Sequence, residues 1–139
     1  MSGKPLRALL IEDNPIHARL IEKLLEEVGS YDVALQTGGT LATGLEMLGR
    51  GEDFDVVLLD LVLPDSQEMD TYFRVRAAVP ELPVLILSGI DDVTLASRAV
   101  EAGAQDYLVK TSLDAQTLGR SIRYAREITH AQRSEWNSP

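Results

Sequence analysis

Short apolar runs that do not alternate with polar residues, separated by segments of helical spacing, constrain this chain more than any other feature. Four runs stand out, at Ala8–Ile11, Val56–Leu59, Val84–Leu87 and Tyr107–Val109, with a weaker fifth at Tyr31–Leu35. An unbroken apolar run is the pattern of a strand buried on both faces of a parallel sheet. Between the runs, Ile16, Leu20, Leu24 and Val28 recur at helical spacing ahead of Gly29, a C′ glycine. Leu41, Leu45 and Leu48 share one helical face, and Val93, Ala96 and Val100 share another ahead of Gly103. Leu118, Ile122 and Ala125 follow Ser112 and Asp114, either of which can cap a helix. Strand then helix, five times over, predicts an α/β fold, (βα)5, with a parallel sheet and right-handed crossovers. A (β/α)8 barrel needs about 250 residues, and this chain has 139. The sheet is therefore expected to be open, five-stranded and doubly wound. One domain is expected over residues 5–130, with a polar tail or linker at 131–139.

Composition narrows the function classes. The formal net charge is −9, and so acidic a surface repels a phosphate backbone, which argues against direct nucleic-acid binding. The absence of cysteine excludes disulfides and thiolate metal sites. The two histidines, His17 and His130, cannot make a histidine-rich zinc site alone. No apolar run approaches the roughly 20 residues needed to span a bilayer. The N-terminus passes directly into the first apolar run without the pattern of a signal peptide. The expected location is cytoplasmic, with no membrane partner.

Ligands of open parallel sheets bind at the carboxyl ends of the strands. The residues just past the runs are Glu12 and Asp13, then Asp60, then Ser88, then Lys110. Like charges about 4 Å apart repel by about 4 kcal/mol at an effective dielectric of about 20, so three carboxylates there call for a cation. Oxygen ligands without His or Cys suit a hard ion such as Mg²⁺, or Mn²⁺ in its place. A carboxylate beside such an ion can act as a nucleophile toward phosphorus. Ser88 and Lys110 then have the chemistry to stabilise the transferring phosphoryl group.

Each residue also has an ordinary reading. Glu12 and Asp13 can form a polar loop before a helix that starts near Pro15. An Asp at a strand end is often a turn former. Ser88-Gly89 makes an ordinary turn, Lys110 an exposed lysine, Tyr107 a packing aromatic and His17 a surface residue. The joint occurrence at four strand ends, in this order, favours the functional reading.

The stretches Leu9-Leu-Ile-Glu-Asp13, Val57-Leu-Leu-Asp-Leu-Val-Leu-Pro-Asp65, Val84-Leu-Ile-Leu-Ser-Gly89 and Gly103-Ala-Gln-Asp-Tyr-Leu-Val-Lys110 together resemble the receiver domains of two-component signalling. The resemblance implies a flavodoxin-like sheet of order 2-1-3-4-5. It implies phosphorylation of Asp60 by a histidine kinase or phosphotransfer protein, with Ser88 and Lys110 assisting. Mg²⁺ would be held by Asp13, Asp60 and the backbone carbonyl of Val62, with Glu12 acting through water. Ser88 and Tyr107 look like the switch pair that alters the surface of the fourth helix, fifth strand and fifth helix. That surface would control a downstream protein or output domain, or a phosphorylation-dependent homodimer. The domain is a signalling switch rather than a conventional enzyme. The chain departs from the family pattern at Glu68, where glycine is frequent, and at Thr111, where proline often follows the lysine through a cis peptide. Both loops are therefore expected to be built differently.

Three other readings fit less well. A haloacid-dehalogenase-type phosphohydrolase needs an acid two residues after its nucleophile, and Val62 stands there. A flavin carrier needs a Ser/Thr/Gly-rich phosphate loop after the first strand, where this chain has Glu-Asp-Asn-Pro. A degenerate receiver would have lost one of the reactive groups, and all are present.

Overall fold

Why the apolar runs become strands is clear from where they are buried. The computed structural model describes residues 5–136, with side chains through Ile128. Its main sheet comprises β1 (Leu6–Ile11), β2 (Val33–Gly38), β3 (Val56–Leu59), β4 (Val84–Ser88) and β5 (Asp106–Val109). All pairings in it are parallel and the strand order is 2-1-3-4-5. Five helices, α1 (Pro15–Glu26), α2 (Leu41–Leu48), α3 (Glu68–Ala78), α4 (Val93–Glu101) and α5 (Ala115–Trp136), alternate with the strands. The second strand begins two residues later than its apolar run and extends to Gly38.

Side chains leave a strand alternately to its two faces, so each run feeds two cores. Leu9, Ile11, Val57, Leu59 and Ile86 pack with Leu41 of α2, Tyr72 and Val75 of α3 and Ala99 of α4. Leu6, Leu10, Leu58, Leu85 and Leu87 pack with Ile21 and Leu25 of α1 and Leu118 and Ile122 of α5. Each fully buried leucine contributes about 1.5–3 kcal/mol. Helix α2 lies close on the sheet at Gly44, where a Cβ would run into the Ile11 side chain.

Two helix faces differ from the expected stripes. In α1 the buried positions are Ile21 and Leu25, with Val28 beyond its end, whereas Ile16 and Leu20 are exposed. Leu20-Ile21 and Leu24-Leu25 offer two adjacent stripes, and packing on the sheet selects the second. In α4, Val93 and Val100 face outward, and the helix seats itself through Ala99 with Leu95 and Ala102 beside it. The stripe in α5 is as expected, but its backbone stays helical to Trp136, into the stretch expected to be a tail. Ala131, Gln132, Arg133 and Glu135 are all good helix formers. Residues 137–139 of that tail lie outside the described residues.

Loops tie the layers together through specific bonds. Asn14 caps α1, accepting from Ile16 N at 2.9 Å, and Pro15 opens the helix. Asp114 caps α5, accepting from Thr117 N at 2.7 Å. At Gly103 φ is +111°, and a Cβ there would strike the Arg76 guanidinium. Arg76 donates to the Ala102 carbonyl at 2.9 Å and to the Tyr72 hydroxyl at 2.7 Å, which latches α3 to the end of α4.

Asp65 lies in the turn of a short hairpin, Val62–Leu63 with Ser66–Gln67, that follows β3. Its carboxylate accepts from Leu41 N at 2.8 Å and from Ala42 N at 2.9 Å, at the start of α2. These bonds hold its carboxyl below the ordinary value of 3.8. A depressed carboxylate pKa stabilises the folded state above the unfolded value, and that contribution is lost as pH falls through the folded value. Asp65→Asn is expected to melt at a lower temperature than the wild type near neutral pH. The gap should close as the pH is taken below 3.8, and a gap that stays constant across a pH series of thermal melts would contradict this role.

Candidate functional site

The parallel register brings the carboxyl ends of β1, β3, β4 and β5 to one edge of the sheet. Glu12 and Asp13 follow β1, Asp60 follows β3, Ser88 ends β4 and Lys110 follows β5. Carboxylate oxygens of Glu12, Asp13 and Asp60 lie within 4.8 Å of one another. Glu12 and Asp60 are buried, while Asp13 is exposed and gives the cluster an open side. The arrangement is bonded in place. Asp60 N donates to the Ile11 carbonyl at 3.0 Å, and Asp60 Oδ1 accepts from Val62 N at 2.9 Å. Glu12 Oε2 accepts from Asn14 N at 3.2 Å.

Lys110 is the counter-charge. Only 5% of it is exposed, and its ammonium donates to Asp60 Oδ2 at 2.9 Å and to Glu12 Oε1. Removing one partner from such a buried ion pair costs about 3–5 kcal/mol, because the other charge is left uncompensated. One ammonium does not balance three carboxylates. Burial pushes the Glu12 carboxyl up to about 7; the Lys110 hydrogen bond pulls it back and the neighbouring Asp60 pushes it further up. The triad can thus hold a metal ion, and its donors are oxygens alone, which fits a hard cation.

Ser88 and Tyr107 are joined through one residue. Ser88 Oγ accepts from Ile90 N at 3.0 Å, and the Tyr107 hydroxyl donates to the Ile90 carbonyl at 2.9 Å. The Ile90 link was not readable from the sequence. Neither was the place of His17, whose Nδ1 lies 3.2 Å from Lys110 Nζ. Its five-residue distance from Glu12 along the loop and first helical turn is the only signal that brings it near. Val62 is exposed in the hairpin beyond Asp60, and Ile90 is exposed beyond Ser88.

The two departures from the family pattern resolve in opposite ways: the Glu68 loop keeps the family conformation against expectation, and the loop after Lys110 does not. Glu68 keeps a positive φ of 53°, and its N–H donates to the Leu61 carbonyl at 2.7 Å. The loop therefore keeps the conformation that favours glycine despite a side chain, because the hairpin and Leu61 fix it. After Lys110 the peptide is trans, and Lys110–Ser112 form a single 3-10 turn.

A doubly wound sheet of this order with an acidic triad and a buried lysine at its carboxyl edge is the arrangement that the receiver resemblance implies. The response regulator receiver domain family matches residues 8–123, and the chain belongs to that family. It is 33% identical over 135 residues to the transcriptional regulatory protein ZraR of Klebsiella oxytoca, covering 97% of this chain and 29% of that protein. It is 35% identical over 105 residues to the cell cycle transcriptional regulator CtrA of Caulobacter vibrioides, covering 76% of this chain and 44% of that protein. The chain thus spans less than half the length of these relatives. A response regulator receiver domain protein from Clostridium thermocellum superposes with a TM-score of 0.79 at 28% identity, over 91% of this chain and 98% of that one. Receiver domains partner with histidine kinases and are signalling modules rather than conventional enzymes. No helix among the described residues is long and apolar enough to cross a membrane.

A left-handed backbone costs an L-residue roughly 1–2 kcal/mol, while glycine gives back about 0.5–1 kcal/mol through the freer unfolded chain. Glu68→Gly is therefore expected to stabilise the domain by about 0.5–1 kcal/mol in urea unfolding. A destabilised variant would show that the Glu68 side chain contributes more than its strain removes.

Proposed function

We propose that this domain is a phosphorylation switch in which Asp60 accepts a phosphoryl group from a histidine kinase or phosphotransfer protein. The observation that carries this reading is the meeting of Glu12, Asp13, Asp60 and Lys110 in one partly buried cluster. Glu12, Asp13 and Asp60, with the Val62 carbonyl, would hold Mg²⁺, and Mn²⁺ would substitute. The ion supplies positive charge to the oxygens of the phosphoryl group.

The chain's own groups divide the remaining work. An Asp60 oxygen attacks phosphorus, and a P–O bond forms as the donor's P–N bond breaks. Lys110, now paired with the Asp60 carboxylate, turns its charge to the new phosphoryl oxygens. Ser88 donates its hydroxyl to another of them. Drawn toward the phosphoryl group, the hydroxyl moves away from Ile90 N, which loosens the residue that Tyr107 also holds. Ser88, Ile90 and Tyr107 thereby couple Asp60 to the surface of α4, β5 and α5. Val93 and Val100 give that surface exposed apolar groups for a downstream protein, an output domain or a second copy. Phosphorylation biases a two-state equilibrium of this surface.

Acetyl phosphate with Mg²⁺ is expected to give one acyl phosphate per chain in the wild type and none in Asp60→Asn. Amide resonances of α4, β5 and α5 should shift only in the phosphorylated protein. Labelling of Asp60→Asn at the wild-type level would overturn the assignment of the acceptor.

The same geometry bears on lifetime. Hydrolysis needs water in line with the Asp60–phosphorus bond, and by family resemblance the residues two after Asp60 and two after Ser88 flank its approach. These are Val62 and Ile90, which cannot hydrogen-bond a water through their side chains and so make a productive geometry rare. Each ~1.4 kcal/mol added to the barrier slows decay about tenfold. A long-lived phosphorylated state is expected, and Val62→Asn with Ile90→Glu should shorten it at constant Mg²⁺. Decay of the wild type within seconds, or an unchanged lifetime in the double variant, would refute this.

A further inference from the structure

Lys110 has three N–H bonds, and three side-chain atoms meet it: Glu12 Oε1, Asp60 Oδ2 at 2.9 Å and His17 Nδ1 at 3.2 Å. Two are carboxylates of the cation-holding triad, and the third belongs to no function described so far. His17 projects from the first turn of α1, with 42% of its side chain exposed, and its Nδ1 also lies 3.8 Å from Glu12 Oε1. Nδ1 can accept from an ammonium only in the tautomer that carries the ring proton on Nε2. A doubly protonated ring would set two cations 3.2 Å apart.

The three acceptors respond differently when a divalent ion enters. Glu12 and Asp60 would be drawn to the ion, and their bonds to Lys110 would weaken together. A neutral imidazole is not part of that competition, because its one free lone pair is already directed at the ammonium. We infer that His17 is a positioning residue that keeps Lys110 at the mouth of the site when the carboxylates turn to the cation. This deepens the proposed phosphoacceptor reading and rests on it. The role is one of geometry. A long lysine side chain released from both carboxylates gains rotamer freedom, and each transfer then waits for it to return. Held by His17, the ammonium stays within reach of the incoming phosphoryl oxygens, which is the kind of preorganisation that shortens the path to a transition state. The shortest contact of His17 in the site is with Lys110, and Glu12 Oε1 lies further off at 3.8 Å, so its proposed action runs through Lys110.

His17→Ala and His17→Asn separate an acceptor role from a packing role, since an Asn Oδ1 can take the place of Nδ1. With saturating Mg²⁺ and acetyl phosphate, His17→Ala is expected to form acyl phosphate about tenfold more slowly, or ~1.4 kcal/mol of barrier. Half-saturation by Mg²⁺ should be unchanged, and His17→Asn should restore most of the rate. Imidazole ¹⁵N spectra supply a readout independent of phosphorylation. They should show His17 with its proton on Nε2 and Nδ1 hydrogen-bonded, with and without Mg²⁺, and Lys110→Met should shift Nδ1 toward the free value. Wild-type rates in His17→Ala, or an Asn variant as slow as the Ala variant, would overturn the inference while leaving Asp60 as acceptor. A wild type that takes no phosphoryl group would instead defeat the acceptor reading. In that event the effect of Lys110→Met on the Nδ1 resonance still decides whether His17 holds the lysine.

Discussion

Like charges at the end of a parallel sheet repel, and this chain gathers three carboxylates there around one ammonium. The Lys110 side chain is the term that makes the arrangement tolerable, since it reaches both buried acids at once. Its position follows from the register of β4 with β5, which pairs Ser88 with Val109 and sets Lys110 one residue beyond the ladder. The sheet thus does more than carry the site. Its register decides which charges meet, and the remaining imbalance is what makes a cation welcome.

How far this was legible from sequence depends on whether a signal is local. Val56-Val-Leu-Leu59 is buried on both faces and reads as a central strand without help from its neighbours. The strand ends are then fixed, and with them Glu12, Asp13, Asp60, Ser88 and Lys110. The helical stripes were less secure. Leu20-Ile21 and Leu24-Leu25 each offer two apolar choices, and only contact with the sheet picks Ile21 and Leu25. In α4 the valines that mark the apparent stripe face outward, because the helix is seated on the sheet through the small Ala99 instead.

The contacts least visible in advance cross large sequence distances. Nothing near Asp65 says that it caps α2, 24 residues earlier, and nothing near His17 says that Lys110 arrives beside it. Glu68 is the reverse case, in which a local rule was right about preference and wrong about outcome. Its residue type disfavours positive φ, yet the short hairpin and the Leu61 carbonyl impose it. Tertiary bonds outweighed a propensity worth roughly 1–2 kcal/mol.

The Arg76 latch has a mechanical consequence. At its far end α4 is tied to α3 through the Ala102 carbonyl, in space left open by the missing side chain of Gly103. Near its beginning the chain is held through Ile90, by two bonds that reach Ser88 and Tyr107. One mooring is a guanidinium clamp, and the other is a hydroxyl pair that the proposed phosphorylation of Asp60 would undo. Release at Ile90 alone would leave α4 held at its Ala102 end, and Val93, at the other end of the helix, would be the part freed to move.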